Sequence, residues 1–519
     1  MPILYHKKIF LSIFQTYIDK RKNICYNTVV WKCAGVKNQT KSRKNEHERR
    51  EKQRKDGENM RYYLAIDIGA SSGRHIVAHL ENGKMVTEEI YRFQNGPEDV
   101  VGYDGKEHLM WTHERLFTEI LNGLKKAKEL GKVPYAVGID TWGVDYALLD
   151  ENDQAIGGIY CYRDSRTEAT IPAVHEKLPF EKLFEKTGIA FASFNTVYQL
   201  LDDLKSGRME KAKSMLMLPD YFHFRLTGVK KQEYCNATTT GMVNAKTHTW
   251  DEEIIETLGY KKELFGDLAQ PGELVGEFTD EIAAIVGYKA KVVLPATHDT
   301  ASAVLAAPLE AQTPYISSGT WSLLGVEQNE AHTSKSALDA GYSNEGSLNH
   351  TVRLQINIMG LWMIQQVRHE IDDKYSFAEL VNMAKANPVK YEIDVNDQRF
   401  LAPENMTAEI NAAVGKELTI GEMAYVIYDN LARYYDIALK ALESVTGEKY
   451  ETLNIIGGGS KNGFLNEITA KYTGKKIITG PAEGTAIGNL MMQMVGCGDI
   501  ASVKEGRKIV KESFDVAEL

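Results

Sequence analysis

Asp67 closes an apolar run and meets a turn of small residues in "LAIDIGASSGR", residues 64–74. The backbone N–H groups and hydroxyls of Ser71, Ser72 and Gly73 offer a nest for an anion. Arg74 follows and can meet phosphate as a planar fork. The same device returns in "TPYISSGTWSLLGVE", residues 313–327, with Ser318, Gly319 and Thr320 in the turn. Either turn alone also reads as an ordinary β-turn; the pair fits a nucleoside triphosphate held between two halves. Neither ends in Gly-Lys-Ser/Thr, so neither is a Walker A loop. His75–Leu80 reads as a strand, so the strand–turn–helix of a dinucleotide fingerprint is also missing.

Asp67 at its strand end can hold Mg²⁺ through water, or simply cap the turn. Asp299 in "ATHDTASA" follows an apolar strand and precedes an Ala-rich helix. It can take the proton of a hydroxyl attacking a γ-phosphate, or serve as a helix N-cap. "GGGSKNG", residues 457–463, lets a flat ligand approach the backbone, or lets a helix pack closely on a strand; with Asn462 in the last position it is not GxGxxG. Trp142 next to Gly143 offers either a platform for a sugar face or a core side chain. Arg163, Asp164 and Arg166 can bind sugar hydroxyls or form a salt-bridge network. His298 has no second His or Cys at ligand spacing and reads as a hydrogen-bonding residue.

These residues need strands and helices to place them. The first turn joins two strands of a hairpin, followed by a third strand and a helix over Leu116–Leu130. Ala136–Asp140 and Val144–Leu149 read as strands, with helices at Pro179–Glu185, Ser193–Lys205 and Pro219–Leu226. The second hairpin is a weak internal echo of the first and suggests two related domains. Helices are expected at Ile358–Glu370 and Gly421–Val445. Phe464, Leu465, Ile468 and Tyr472 share one face of a further helix.

The 519 residues exceed one core. The net charge of −10 hides a seam: residues 1–59 carry +9 and the remainder −19. An acidic body makes nucleic acid an unsuitable partner. No apolar run reaches about 18 residues, so no membrane helix is expected. Five scattered cysteines without CxxC spacing fit a reducing, cytoplasmic compartment. Residues 1–59 read as a non-native or disordered basic extension, with the folded chain starting at Met60.

Taken together, "AIDIGASSGR", "GIDTWGVDYALLD", "YRDSRT", "FNTVYQL", "LMLPDYFHFRLTG", "NATTTGMVN", "THDTASAV", "SSGTWSLLG", "NIMGLWMIQ" and "IIGGGSKN" resemble the FGGY family of carbohydrate kinases. The resemblance covers residues 62 to about 495. It implies an α/β, two-domain actin, Hsp70 and hexokinase-like (ribonuclease H-like) fold, with a ligand cleft between residues 60–306 and 307–519. It implies ATP as co-substrate and Mg²⁺ as cofactor. Ala70, Ser71, Ser72, Gly73, Arg74 and Thr320 would lie at the phosphates, Gly458 under the adenosine and Gln365 at the nucleotide. Gly143, His298, Asp299 and Thr300 would touch the sugar, with Asn357 nearby in the cleft and Asp299 as the base. Within the family, "GASSGR" with "DTWGVD" resembles the members acting on L-rhamnulose. A kinase for L-fuculose or xylulose, and a non-catalytic sugar or ATP sensor, are the alternatives. A monomer or small homo-oligomer is expected.

Overall fold

Strand β1, Tyr62–Ile68, is the centre of the first sheet. Its apolar run suits a strand covered on both faces. Leu64, Ile66 and Ile68 pack in one cluster with Ile120 and Leu124; Tyr63 and Ala65 pack in another with Ile487 and Leu490. The structure is a computed structural model and describes residues 60–310, 312–401 and 403–519. The reading of residues 1–59 lies outside the described residues.

β2, Ser72–Glu81, and β3, Lys84–Gln94, continue an antiparallel meander from β1. Helix α1, His113–Glu129, then leads to β4, Pro134–Thr141, parallel to β1. β5, Leu274–Glu277, and β6, Lys291–Val293, complete the order β5-β6-β4-β1-β2-β3. Helix α2, Asp299–Ala306, leaves this sheet.

The second sheet repeats the plan. β7, Tyr315–Ser318, and β8, Trp321–Gln328, form the second hairpin. β9, Ser343–Gly346, and β10, Val352–Met359, extend it antiparallel. Helices α3, Trp362–Glu370, and α4, Ile420–Thr446, follow. β11, Thr452–Ile456, lies parallel to β7. Helix α5, Gly463–Thr473, connects it to β12, Lys476–Thr479, which is parallel to β11. Helix α6, Gly484–Gly496, follows, and β13, Ala517–Glu518, closes the edge. The order is β9-β10-β8-β7-β11-β12-β13. The two orders are not identical, but each sheet has a hairpin whose first strand lies parallel to a later strand on its other side, β4 beside β1 and β11 beside β7, so the echo extends beyond the hairpins. Helix α6 returns from the second sheet to pack on the first: its Ala486, Ile487, Leu490 and Met491 share a core with Tyr63 and Ala136.

Several elements differ from the sequence reading. Ile358 and Met359 belong to β10, because Val352, Leu354, Ile356 and Ile358 alternate with polar residues at the strand period. The expected strand from Val144 starts at Tyr146. Val144 has φ +68°, a left-handed conformation that costs a β-branched residue about 1–3 kcal/mol. The Asp145 N–H donates to Gly143 O at 2.9 Å across it. Tyr472 is exposed and donates to Asp429, so it leaves the buried face of Phe464 and Leu465.

Two buried histidines make stability depend on pH. His75 on β2 has Nε2 3.2 Å from Ile120 O, and burial pushes it down to about 4. His223 Nε2 accepts the Ile139 N–H at 2.9 Å, and burial pushes it down to about 3. Between these values and the ordinary 6.5, the unfolded chain binds protons that the fold refuses. Stability therefore falls as pH drops below about 6.5, by up to about 1.4 kcal/mol per pH unit for each histidine. Melting curves at pH 7, 6 and 5 are expected to show a shallower decline for His75→Gln than for the parent protein. Equal slopes would show that His75 is protonated within the fold.

Candidate active site

Asp67, Arg74, His298 and Asp299 gather around the carboxyl ends of the first sheet's parallel strands, where open α/β sheets bind ligands. Asp67 on β1 sits beside Asp140 on β4 in the parallel register and opposite Arg74 on β2. Beyond β6 the chain continues past β4 through a parallel bridge between Thr141 and His298, which brings in Asp299. Thr141 N–H donates to Thr297 O at 2.9 Å and fixes this segment.

Three carboxylates thus share one strand-end region. Arg74 donates through Nε and Nη2 to Asp67 Oδ2, at 3.0 and 2.9 Å, and its Nη1 pairs with Glu483. Burial pushes the Asp67 carboxyl up; Arg74 opposes this, and the Asp299 and Glu483 charges add to the push. Asp140 is pushed up strongly by burial and next by the Asp67 charge, against the Asn489 amide, which donates to its Oδ2 at 2.6 Å. Asp140 Oδ1 is buried without a partner. Carboxylate oxygens such as those of Asp67 suit a hard cation that keeps its water and shares phosphate oxygens, and here Arg74 meets the Asp67 charge. No group of three His, Cys, Asp or Glu among the described residues forms a metal cage by itself.

The first turn is pinned from outside. Gly69 N–H donates to Ser72 O, Asn95 N–H donates to Ser71 O, and Asn95 Nδ2 donates to Gly69 O, each at 2.9 Å. Ala70 and Ser71 remain at the turn, but Ser72 and Gly73 already belong to β2. Gly73 answers a packing need: a Cβ there would stand 2.1 Å from the Phe93 ring. In the second hairpin, Gly319 N–H donates to Trp321 O at 2.8 Å. Exposed Thr320 donates to Gln365 Oε1 at 3.4 Å, so the structure brings these two candidates together.

The three glycines after β11 divide by role. A Cβ on Gly457 or Gly459 would fall 2.8 Å from Ser318 O or 2.0 Å from Ser318 Oγ. These two serve helix–strand packing. Gly458 is exposed, and a Cβ there would meet nothing within 4 Å. The space above it is open to a ligand.

Asp299 is the first residue of α2, with His298 at the N-cap. Its Oδ1 accepts the Thr300 N–H at 2.5 Å and the Thr300 hydroxyl at 3.2 Å. The side chain stays 34% exposed, enough to meet a substrate. His298 Nε2 lies 3.5 Å from Asp299 Oδ1, and Thr300 is buried. Asn357 is exposed on β10, paired with Leu323 of β8. Gly143 is buried, and a Cβ on it would meet Thr239 Oγ1 at 2.8 Å. Packing against Thr239 therefore explains why this residue is glycine.

Trp142 is a core side chain, not a sugar platform. It packs on Trp111 with centroids 4.1 Å apart, and its Nε1 donates to Asp145 at 2.8 Å. Burial pushes Asp145 up to about 6, against the two indole donors. Arg166 is buried and pairs with Asp203 at 3.0 Å, while Asp164 contacts His108 at 3.0 Å. For both residues the salt-bridge reading of that cluster holds.

Sequence reasoning missed Asn95, Glu483, Asn489, Glu345 and Arg353. It noted the acid-ended strand at Asp140 but gave it no role. The parallel stretches "AIDIG" and "GIDTW" carry their acids at matching places, a signal that could have placed Asp140 beside Asp67.

Residues 62–306 match the N-terminal domain of the FGGY family of carbohydrate kinases, and residues 314–497 match its C-terminal domain. The chain belongs to the FGGY family of carbohydrate kinases. A rhamnulokinase of Halalkalibacterium halodurans is 46% identical over 465 residues, covering 88% of this chain and 98% of that protein. A rhamnulokinase of Oceanobacillus iheyensis is 44% identical over 461 residues, covering 87% and 97%. Among solved structures, gluconate kinase from Lactobacillus acidophilus superposes with a TM-score of 0.72 at 17% identity, covering 88% of this chain and 93% of that one. That likeness carries the fold of a family member: mixed α/β in two domains. Among the described residues, no helix is long and apolar enough to cross a membrane.

Proposed function

We propose that this kinase transfers the γ-phosphate of ATP to the 1-hydroxyl of L-rhamnulose, giving L-rhamnulose 1-phosphate and ADP in L-rhamnose catabolism. The observation that carries the sugar is the 46% identity across 98% of a rhamnulokinase. A family member acting on a different sugar, such as the gluconate kinase, retains the fold at only 17% identity.

In this reading Asp299 accepts the proton of the attacking hydroxyl, and His298, Thr300, Gly143 and Asn357 surround the ketose. Amides of Ala70–Gly73, the Arg74 guanidinium and Thr320 with Gln365 hold the phosphates. Asp67 would hold Mg²⁺, and the bound ion would offset charge developing on the phosphoryl oxygens. Closure of the two halves excludes water as a competing acceptor. A soluble sugar phosphate made from ATP places the reaction in the cytoplasm.

The test is ATP consumption with a panel of ketoses and glycerol, with the phosphate position assigned by NMR. L-Rhamnulose is expected to have the highest kcat/KM. A higher value for L-fuculose, D-xylulose or glycerol would overturn the sugar assignment and leave the family intact.

Gly458 tests the nucleotide placement. A branched side chain there meets open space, so Gly458→Val is expected to melt like the parent protein. It would occupy the surface proposed for the adenosine and raise the KM for ATP about tenfold or more, the loss of about 1.4 kcal/mol of binding. An unchanged KM would move the adenosine elsewhere.

A further inference from the structure

Arg74 on β2 is held from both halves of the chain. Its side chain is 23% exposed, and its Nε and Nη2 both donate to one oxygen of Asp67. Its Nη1 pairs with Glu483, the residue before α6. Glu483 occupies the N-cap of that helix, yet its side chain makes no cap bond. The carboxylate is therefore not tied to the helix it precedes. The backbone that carries it is anchored in the second sheet. Gly480 N–H donates to Ile455 O at 2.8 Å, and Gly457 N–H donates to Pro481 O at 3.1 Å. Ile455 belongs to β11, and Gly457 precedes Gly458, the glycine with open space above it. One short segment, 480–483, thus touches the turn proposed for the adenosine and reaches the arginine beside the first phosphate turn.

A guanidinium has five N–H donors and no acceptor. Among the described residues, three of those of Arg74 are engaged: one on Nε, one on Nη2 and one on Nη1. Two remain, one on each terminal nitrogen, a set that can meet two oxygens of a phosphate. Asp67 alone holds the guanidinium by a single oxygen, about which it can pivot. Glu483 supplies a second anchor at the other terminal nitrogen. It also offsets the like charge of Arg92, which lies directly opposite Arg74 in the strand register and is itself paired with Glu89 at 2.8 Å. A partly exposed ion pair contributes only about 0–1 kcal/mol to folding, so any larger effect of Glu483 has to be sought in turnover.

We propose that Glu483 is a positioning residue for phosphoryl transfer: with Asp67 it fixes the Arg74 guanidinium so that its two remaining N–H groups meet the transferred phosphate. This rests on the reading of the first turn as the phosphate site. Glu483 itself touches neither substrate and acts through Arg74. Because its segment is bonded to the turn proposed for the adenosine, the placing of Arg74 is tied to the second sheet as well as to the first.

A double-mutant cycle tests this. Glu483→Ala is expected to lower kcat/KM for ATP about tenfold, with the KM for the sugar and the melting temperature unchanged. Glu483→Gln keeps an oxygen for Arg74 and is expected to recover most of that loss. In an Arg74→Ala background, Glu483→Ala is expected to add no further loss. Additive losses at 74 and 483, an unchanged kcat/KM for ATP in Glu483→Ala, an equal rise in the KM for the sugar, or a Glu483→Gln no better than Glu483→Ala would each overturn the proposal. A lower melting temperature in Glu483→Ala with no loss in kcat/KM would overturn it too, and make Glu483 a helix-start residue. Normal kcat/KM for ATP in Arg74→Ala is a separate result and would remove the phosphate reading of the first turn itself.

Discussion

Asp299→Asn is expected to fold and bind ATP normally and to lose about 10²–10⁴-fold in kcat, the usual cost of removing a general base. The local geometry makes this substitution discriminating. Both Thr300 bonds end on Oδ1, at 2.5 and 3.2 Å, and an asparagine oxygen can accept both. The N-cap position belongs to His298, whose side chain makes no cap bond. If Asp299 acted only at the helix start, its loss would cost about 1 kcal/mol of stability and little turnover. The measurements are kcat, melting temperature and ATP binding by calorimetry. A lower melting temperature with near-normal kcat makes Asp299 a helix-start residue and places the base elsewhere. A collapse of kcat at unchanged melting temperature, with both substrates bound, makes it the base.

The parts of this site legible in the sequence are those that local chemistry determines. β1 is a continuous apolar run ended by an acid, and a small-residue turn can only reverse it, so the hairpin and Asp67 were readable. Asp299 was readable because an apolar strand, an acid and an Ala-rich helix follow one another. The partners that complete the site are distant in the chain. Arg74 meets Glu483, and Asp140 meets Asn489, through the return of α6 to the first sheet. No local pattern announces that return. Two misreadings also have physical causes. The strand alternation through Ile358 was overlooked beside a helix that does begin at Trp362. Val144, the expected first residue of a strand, lies outside it. Its backbone is held left-handed by bonds from Thr239 and Thr196: Val144 N–H donates to Thr239 Oγ1 at 3.0 Å, and Thr196 Oγ1 donates to Val144 O at 2.6 Å.

Gly488→Val is expected to abolish folding, and Gly488→Ala to give a soluble protein with a markedly lower melting temperature and reduced kcat. Helices α2 and α6 cross at this glycine. A Cβ on Gly488 would stand 1.8 Å from Ser302 O and 2.6 Å from Ser302 C, and both are backbone atoms of a helix. Such atoms cannot swing away as the end of a flexible side chain can. One turn earlier, a Cβ on Gly484 would lie 3.4 Å from Ala303 Cβ, so the contact runs along both helices. Overpacking a rigid contact costs about 1–3 kcal/mol and sometimes more, and here relief requires moving one helix as a body. Either movement reaches the site. α2 begins at Asp299, three residues before Ser302, and α6 begins beside Glu483, the partner of Arg74. Stability and turnover should therefore fall together in Gly488→Ala, whereas Gly458→Val, a larger change at a glycine facing open space, should leave the melting temperature unchanged. Thermal melts and kcat for the two variants decide it. If Gly488→Ala melts within a degree of the parent protein, α2 and α6 can separate freely, and their crossing does not set the position of Asp299.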